Sequence, residues 1–315
     1  MSVSSGYDLI GDIHGYADEL EKLLVKMGYT SQHGVYCHPD RRVVFLGDFI
    51  DRGPKIKQVL DIARGMVESG NAMSVMGNHE FNALTFHTSS NGREHDSLRS
   101  RTIKNIRQHS ATLQQLCDRD LAEALDWFRT LPMWAEIQGP DGTKCRAVHA
   151  CWDIDQIRCI ADVKANDAKF TNTFLTEATV KKSPLYDAVE IVLKGKELAL
   201  PAGKTFRDKE GHERTAIRTK WFEEPSFEMT YEQYALQSDP IDCPIKIDPK
   251  MSQKEQGYPA TESPVFVGHY WLKADWPERL ATNVACLDYS VAKDGFLCGY
   301  QWDGEQEIDN NKFVR

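Results

Sequence analysis

Val43-Val44-Phe45-Leu46-Gly47-Asp48-Phe49-Ile50-Asp51-Arg52-Gly53 is an apolar, strand-like run that stops at a glycine and opens into a loop of charged residues. The same figure stands on either side of it. Tyr7-Asp8-Leu9-Ile10 leads into Gly11-Asp12-Ile13-His14-Gly15, and Met73-Ser74-Val75-Met76 leads into Gly77-Asn78-His79-Glu80. Helical patterns fill the gaps. Leu20, Leu23, Leu24 and Met27 stand at i, i+3, i+4, i+7 before Gly28. Ile56, Val59, Leu60, Ala63 and Val67 form a second apolar face that ends at Gly70. The order β-α-β-α-β with short connections predicts parallel strands whose carboxyl ends share one side. Open α/β sheets place their ligands there.

Further along, residues 81–130 read as helical, with Leu113, Leu116, Leu121, Leu125 and Phe128 apolar, until Leu131-Pro132 breaks the pattern. Met133–Ile137 and Lys144–Val148 read as strands joined by the turn Gly139-Pro140-Asp141-Gly142, and the second runs into His149. Residues 150–262 have weaker patterns. Ala161–Val180 suits a helix, Val189–Leu193 and Leu198-Ala199-Leu200 suit strand or core, and Gly203–Glu213 and Asp239–Thr261 read as loops. This stretch is expected to be a cap or substrate-facing insertion in a single domain spanning 1–315. The tail returns to strands: Val265–Val267 before Gly268-His269, Val284–Leu287 before Asp288-Tyr289-Ser290, and Gly295–Trp302. The tail is expected to complete a second sheet with antiparallel strands.

The chain has 315 residues, 41% of them hydrophobic, so a sizeable core can form. A formal net charge of -9 argues against general nucleic-acid binding; a bound phosphate would need local positive charge. The eight cysteines form no CxxC pair and sit mostly among apolar neighbours, which suits free thiols in a reduced cytoplasm. No apolar run approaches the roughly 20 residues that span a bilayer, and no signal-peptide pattern opens the chain. A cytoplasmic protein is expected.

Each charged loop has an ordinary reading by itself: Asp48 a loop cap, Asn78 a turn residue, His149 and His269 satisfied core histidines, Arg52 a surface ion pair. Together they read differently, because five strand ends each present a metal-type ligand. Asp12 and His14 are two apart, and in extended chain both reach one side. Mixed oxygen and imidazole ligands suit first-row ions such as Mn, Fe or Zn better than Ca. Six ligands are too many for one open catalytic ion and suit two ions that share a carboxylate. Such a pair clamps a phosphoryl group and ionises a bridging water into the nucleophile. Arg52 then supplies a bidentate fork for phosphate oxygens. His79 stands beside Asn78 but points elsewhere, placed to protonate a leaving oxygen, with Asp51 to orient it.

At these motifs, 11–15, 47–53 and 77–80, then His149 and Gly268-His269, the sequence resembles the phosphoprotein-phosphatase branch of the calcineurin-like metallophosphoesterases. It resembles bacterial members, including relatives of diadenosine tetraphosphate hydrolases, more than the eukaryotic protein phosphatases. The resemblance covers about residues 7–150 well and 264–302 more loosely. It implies an α/β fold of two mixed sheets packed as a sandwich flanked by helices. It also implies that Asp12 and His14 bind the first metal, that Asp48 bridges, and that Asn78, His149 and His269 bind the second. Mn is the expected pair, with Fe or Zn as other choices. By the same resemblance Arg52 grips phosphate and His79 with Asp51 is the general acid. Ala150-Cys151-Trp152 and Tyr270 depart from the usual pattern around the pocket floor. A second phosphate-binding Arg is expected among Arg158, Arg207, Arg214 and Arg218, with Arg218 preferred, and Tyr289 stands where a substrate-facing Tyr is common.

The first expectation is a two-metal phosphatase acting on monoesters, either phosphoprotein Ser, Thr or Tyr or small phosphoesters. The alternative is a bis(5'-nucleosyl)-tetraphosphatase, with Trp152, Trp221, Trp271 and Tyr270 as candidate stacking surfaces. A non-catalytic scaffold would have lost ligands, and this chain keeps them. A diesterase or nuclease fits poorly with the acidic balance and Arg52.

Overall fold

The computed structural model describes residues 6–90, 96–165, 167–207, 211–236, 241–248 and 256–315. Two sheets organise it, and only their strands are numbered. In the first, β1 (Gly6–Ile10), β2 (Arg41–Phe45) and β3 (Ala72–Ser74) are parallel, with Ile10 opposite Phe45 and Val43 opposite Ala72. In the second, β4 (Trp134–Gln138) pairs antiparallel with β5 (Lys144–Val148), and β6 (Val265–Val267) and β7 (Val284–Cys286) continue parallel to β5. β8 (Gly299–Trp302) and β9 (Phe313–Val314) then return to the first sheet, β8 antiparallel to β1.

This corrects the reading of the tail. Its antiparallel strands extend the first sheet, whereas β6 and β7 are parallel members of the second. Their runs Val-Phe-Val and Val-Ala-Cys are wholly buried, as strands covered on both faces must be. The sheets meet through one apolar layer that includes Leu9, Val44 and Val75 from one and Ile137, Ala147 and Phe266 from the other.

Helices cover the outer faces. α1 (Ala17–Lys26) buries Leu20, Leu23 and Leu24, and α2 (Ile56–Glu68) buries Ile56, Val59, Leu60 and Ala63, the stripes that the spacing predicts. The expected helical stretch 81–130 is three helices: α3 (Asn78–His87), α4 (Ile103–Gln115) and α5 (Asp118–Phe128). Thr102 caps α4 by accepting from Asn105 N.

Within 150–262, α6 (Ile154–Lys164) and the short α7 (Asn172–Glu177) replace one helix over 161–180. Val189–Leu193 is not strand. It belongs to α8 (Pro184–Lys194), which Ser183 caps and Pro184 opens, with Leu185, Ala188, Val189, Val192 and Leu193 buried. The short strand Glu197–Ala199 pairs with Ala216–Arg218. Part of each expected loop, residues 208–210, 239–240 and 249–255, lies outside the described residues.

The consequence for the site is directional. β1, β2 and β3 all end on one side of their sheet, as β5, β6 and β7 do on theirs, so the loops after six strand ends can converge.

Candidate metal centre

The converging loops are strained where the ligand side chains leave them. His14, Asp48 and His269 have φ of 47°, 53° and 71°, values uncommon outside glycine. Close backbone approach explains the glycines beside them. A Cβ on Gly47, whose φ is +89°, would lie 2.3 Å from Gly77 N. One on Gly268 would lie 2.0 Å from an Asp12 carboxylate oxygen. The loop from β2 and the start of α3 are therefore pressed together, and Glu80 locks them. Its buried carboxylate accepts from Asp48 N (2.8 Å), Phe49 N (2.9 Å) and Gly77 N (3.0 Å). Burial, then the Asp48 charge, raises Glu80 to about 7.

Asp48 divides its two oxygens between two tasks. Oδ1 accepts from His79 N at 2.9 Å, at the amino end of α3. Oδ2 faces three imidazole nitrogens: His149 Nε2 at 3.4 Å, His14 Nε2 at 3.6 Å and His79 Nε2 at 4.0 Å. Asn78 Oδ1 lies 3.1 Å from His149 Nε2 and 2.7 Å from His269 Nδ1. Asp12 turns its carboxylate to His269 N, at 3.1 and 3.2 Å. Two groups, His14-Asp48-His79 and Asp48-His149-His269, each bring their ligand atoms within 4.8 Å of one another and share Asp48.

Proton bookkeeping shows what this arrangement suits. His14 Nδ1 donates to Ile50 O (2.9 Å) and His149 Nδ1 to Leu46 O (2.7 Å), so in the neutral rings both Nε2 lone pairs face the Asp48 carboxylate. Among the described residues, His14 Nε2 is buried with no hydrogen-bond partner. Burial, then His79, holds His14 down to about 3, so no proton fills that gap near neutrality. Burial also lowers His149, but the Asp48 and Asp12 charges outweigh it and raise the ring to about 10. Burial and then Asp288 push Asp12 well up. A His14 lone pair aimed at a buried carboxylate, and a His149 ring that holds a proton beside the Asp48 and Asp12 charges, are the electrostatics of a place for a cation. The donors present fit two divalent ions sharing Asp48.

His79 diverges from Asn78 and joins a second cluster. Its Nδ1 lies 2.5 Å from Asp51 Oδ2. Asp51 Oδ1 accepts from His109 Nδ1 (2.8 Å) and Thr112 Oγ1 (2.5 Å), and Gln108 Nε2 lies 3.4 Å from His79 Nε2. Burial raises Asp51, yet the hydrogen bonds from His109 and His79 outweigh it and hold the carboxyl well below the usual range. An ionised Asp51 fixes the His79 proton on Nδ1 and turns Nε2 toward the centre. His109, Thr112 and Gln108 all come from α4, and nothing in their local sequence marks them.

Comparison with known proteins agrees with this geometry. The family model of the calcineurin-like phosphoesterases matches residues 7–225. The chain belongs to the calcineurin-like phosphoesterase family. Members of this family are metal-dependent phosphoric ester hydrolases with a dinuclear metal centre, and the two groups that share Asp48 could hold such a pair of ions. A Bacillus subtilis protein named bis(5'-nucleosyl)-tetraphosphatase PrpE [asymmetrical] is 49% identical over 74 residues, 23% of this chain and 30% of that protein. A Halalkalibacterium halodurans protein of the same name is 46% identical over the same shares. The chain thus spans about a third of the length of these relatives. A solved cold-active protein tyrosine phosphatase shares the fold at TM-score 0.50 and 18% identity, covering 99% of this chain and 81% of that one.

In this family member a cleft of about 1030 Å³ opens onto Asp48, Asn78, His79 and His269. Arg52 lines it, with its guanidinium 4.1 Å above the Trp271 ring. Arg214 and Arg218 line it too, on the short strands Glu213–Arg214 and Ala216–Arg218 that follow α8. Arg158 lies away from it, paired with Asp155, and Arg207 donates to Gly211 O. Tyr289 is not brought to the cleft. Its ring stacks on Phe296, and its hydroxyl is engaged by Glu278 N and O, so the expected substrate contact is corrected. Of the four candidate stacking rings, Trp152 and Trp221 lie away from the cleft, whereas Tyr270 and Trp271 line it. No helix among the described residues is long and apolar enough to cross a membrane.

Proposed function

We propose that this protein is a two-metal phosphatase that removes phosphate from monoesters, with Asp12, His14, Asp48, Asn78, His149 and His269 as its ligands. The observation that carries this reading is Asp48 Oδ2, a single carboxylate oxygen that three buried imidazole nitrogens face at 3.4–4.0 Å. Bound there, two ions, manganese in our reading, would polarise the phosphoryl group and supply a water ionised near neutral pH. The chain's own residues do the rest. Arg52, held over Trp271, grips two phosphate oxygens, and Arg218, which lines the same cleft, is the second phosphate ligand in this reading. His79, its Nδ1 proton held by Asp51, gives its Nε2 proton to the leaving oxygen. Residues 150–262 furnish Glu190, Lys194, Arg214 and Arg218 to the cleft, and we assign them substrate selection. The eight free cysteines support a place in the cytoplasm.

A second reading keeps this core chemistry but takes a dinucleoside polyphosphate, the substrate class in the name of the Bacillus subtilis relative. The size of the cleft favours it over a minimal monoester site.

Hydrolysis of p-nitrophenyl phosphate by metal-stripped protein tests the proposal. Activity returns on adding Mn in the wild type and stays absent in Asp48→Asn. No hydrolysis by the Mn-loaded wild type would sink it.

A further inference from the structure

The cleft is far more cationic than the capture of one phosphate requires. Arg52, Arg99, Lys104, Arg107, Lys194, Arg214, Arg218 and Lys293 line it against the carboxylates of Asp48, Glu190 and Glu197, in a chain of formal charge -9. Resting on the phosphatase reading above, we propose a second phosphate subsite between α4 and the 194–218 wall. It takes a further phosphate of a linear phosphate chain whose terminal phosphate lies at the metal centre.

Placement argues first. Lys104, Arg107, Gln108 and Ala111 stand at i, i+3, i+4, i+7 on α4 and all line the cleft, so this helix turns one cationic face inward. Arg99 stands beside that face, donating to Gln108 Oε1 at 3.0 Å and Asn105 Oδ1 at 3.1 Å. These bonds hold its guanidinium in place before any ligand arrives. The opposite wall answers with Lys194 and Arg214. The two walls are close enough to interact: burial lowers Lys194, and Arg99 and Arg218 lower it further against the pull of Glu190. Like charges gathered in a cleft repel until an anion enters between them.

The aromatic content argues against a base-reading pocket. A volume of about 1030 Å³ exceeds what one phosphate fills. Trp271 already carries Arg52 at 4.1 Å and Lys293 at 5.0 Å from its ring centroid. Tyr270 is buried and donates its hydroxyl proton to Ala150 O at 3.0 Å. What the cleft offers along its length is positive charge, so a run of phosphates is recognised whether it is inorganic or carries a nucleoside at its far end.

The reaction balances without a co-reactant other than water. The water oxygen bonds to the terminal phosphorus, and the bond from that phosphorus to the bridging oxygen breaks. The bridging oxygen keeps the electron pair and stays on the shortened chain, while the water protons pass to orthophosphate and solvent.

The test compares inorganic tripolyphosphate with p-nitrophenyl phosphate in Mn-loaded wild type and in the double variant Lys104→Ala, Arg107→Ala. We expect the ratio of kcat/KM for tripolyphosphate over p-nitrophenyl phosphate to fall by about tenfold in the variant, mostly through KM. A ratio that does not move, or a wild type that turns over p-nitrophenyl phosphate but not tripolyphosphate, overturns the subsite. Failure of the wild type on p-nitrophenyl phosphate would instead overturn the phosphatase reading. Adenosine tetraphosphate separates the sources. A similar fall supports recognition of the phosphate chain, and a nucleoside preference that survives the variant overturns it.

Discussion

Asp51 is shared between two imidazoles: His79 Nδ1 lies 2.5 Å from its Oδ2 and His109 Nδ1 lies 2.8 Å from its Oδ1. His109 in turn meets His87, Nε2 to Nε2 at 3.1 Å. The carboxylate that orients the proposed acid is thus held from behind by His109 of α4, 58 residues further on. The arrangement makes His109 a positioning residue for His79.

His79→Asn should keep the metals and slow alkyl phosphates by about a hundredfold or more, while slowing aryl phosphates far less. His109→Asn should show the same pattern at about tenfold, because Asp51 stays but is less firmly held. The measurement is kcat for an alkyl and an aryl phosphate in each variant. Equal slowing of both esters by His79→Asn would remove its role as acid, and equal slowing by His109→Asn would reduce it to a folding residue.

Stability should carry a signature of His87. Burial, then His109 and Arg101, holds its pKa down to about 4, below the ordinary value of about 6.5. Between those values the unfolded chain binds more protons than the folded one. Stability present above pH 6.5 is therefore lost as pH falls toward 4. Urea midpoints of wild type should drop more between pH 7 and pH 5 than those of His87→Gln. Parallel drops would assign the acid sensitivity elsewhere.

Glu80→Gln tests the lock behind Asp48. The carboxylate accepts three backbone N–H groups, and an amide nitrogen cannot accept the ones it faces. We expect a loss of about 1–3 kcal/mol in stability and about 10–100-fold weaker metal binding. Calorimetry and a metal titration read the two effects separately, and unchanged metal affinity would show that the loop holds its shape without Glu80.

Gly47→Ala should be worse than an ordinary surface change. The left-handed backbone at φ +89° costs about 1–3 kcal/mol for a residue with a Cβ, and the added carbon would stand 2.3 Å from Gly77 N. A variant that melted with the wild type would show that the two loops can part without cost.

Much of this was legible because each metal-type residue follows its own strand: Asp12, Asp48, His149 and His269 all come within a few residues of a strand end, and parallel strands deliver them to one place. The helices α1 and α2 were legible for the same local reason, clean apolar spacing. α8 was not, since Val189–Leu193 is apolar except at Glu190 and so short a run suits a strand as well, and only Ser183-Pro184 marks it as a helix. His109 and Thr112 had no local mark, because their meaning lies in Asp51, which tertiary packing alone brings to them. Tyr289 shows the reverse limit. Its place in the sequence suggested the substrate, and packing on Phe296 turned it inward.

The most direct measurement is a titration of metal-stripped protein with Mn, following bound metal and p-nitrophenyl phosphate hydrolysis in the same samples, beside Asp48→Asn. A two-metal centre built on one shared carboxylate oxygen predicts two ions bound per chain, activity that rises with occupancy of the second, and loss of both in the variant. Full activity with one ion bound, or two ions held as tightly in Asp48→Asn as in the wild type, would contradict it.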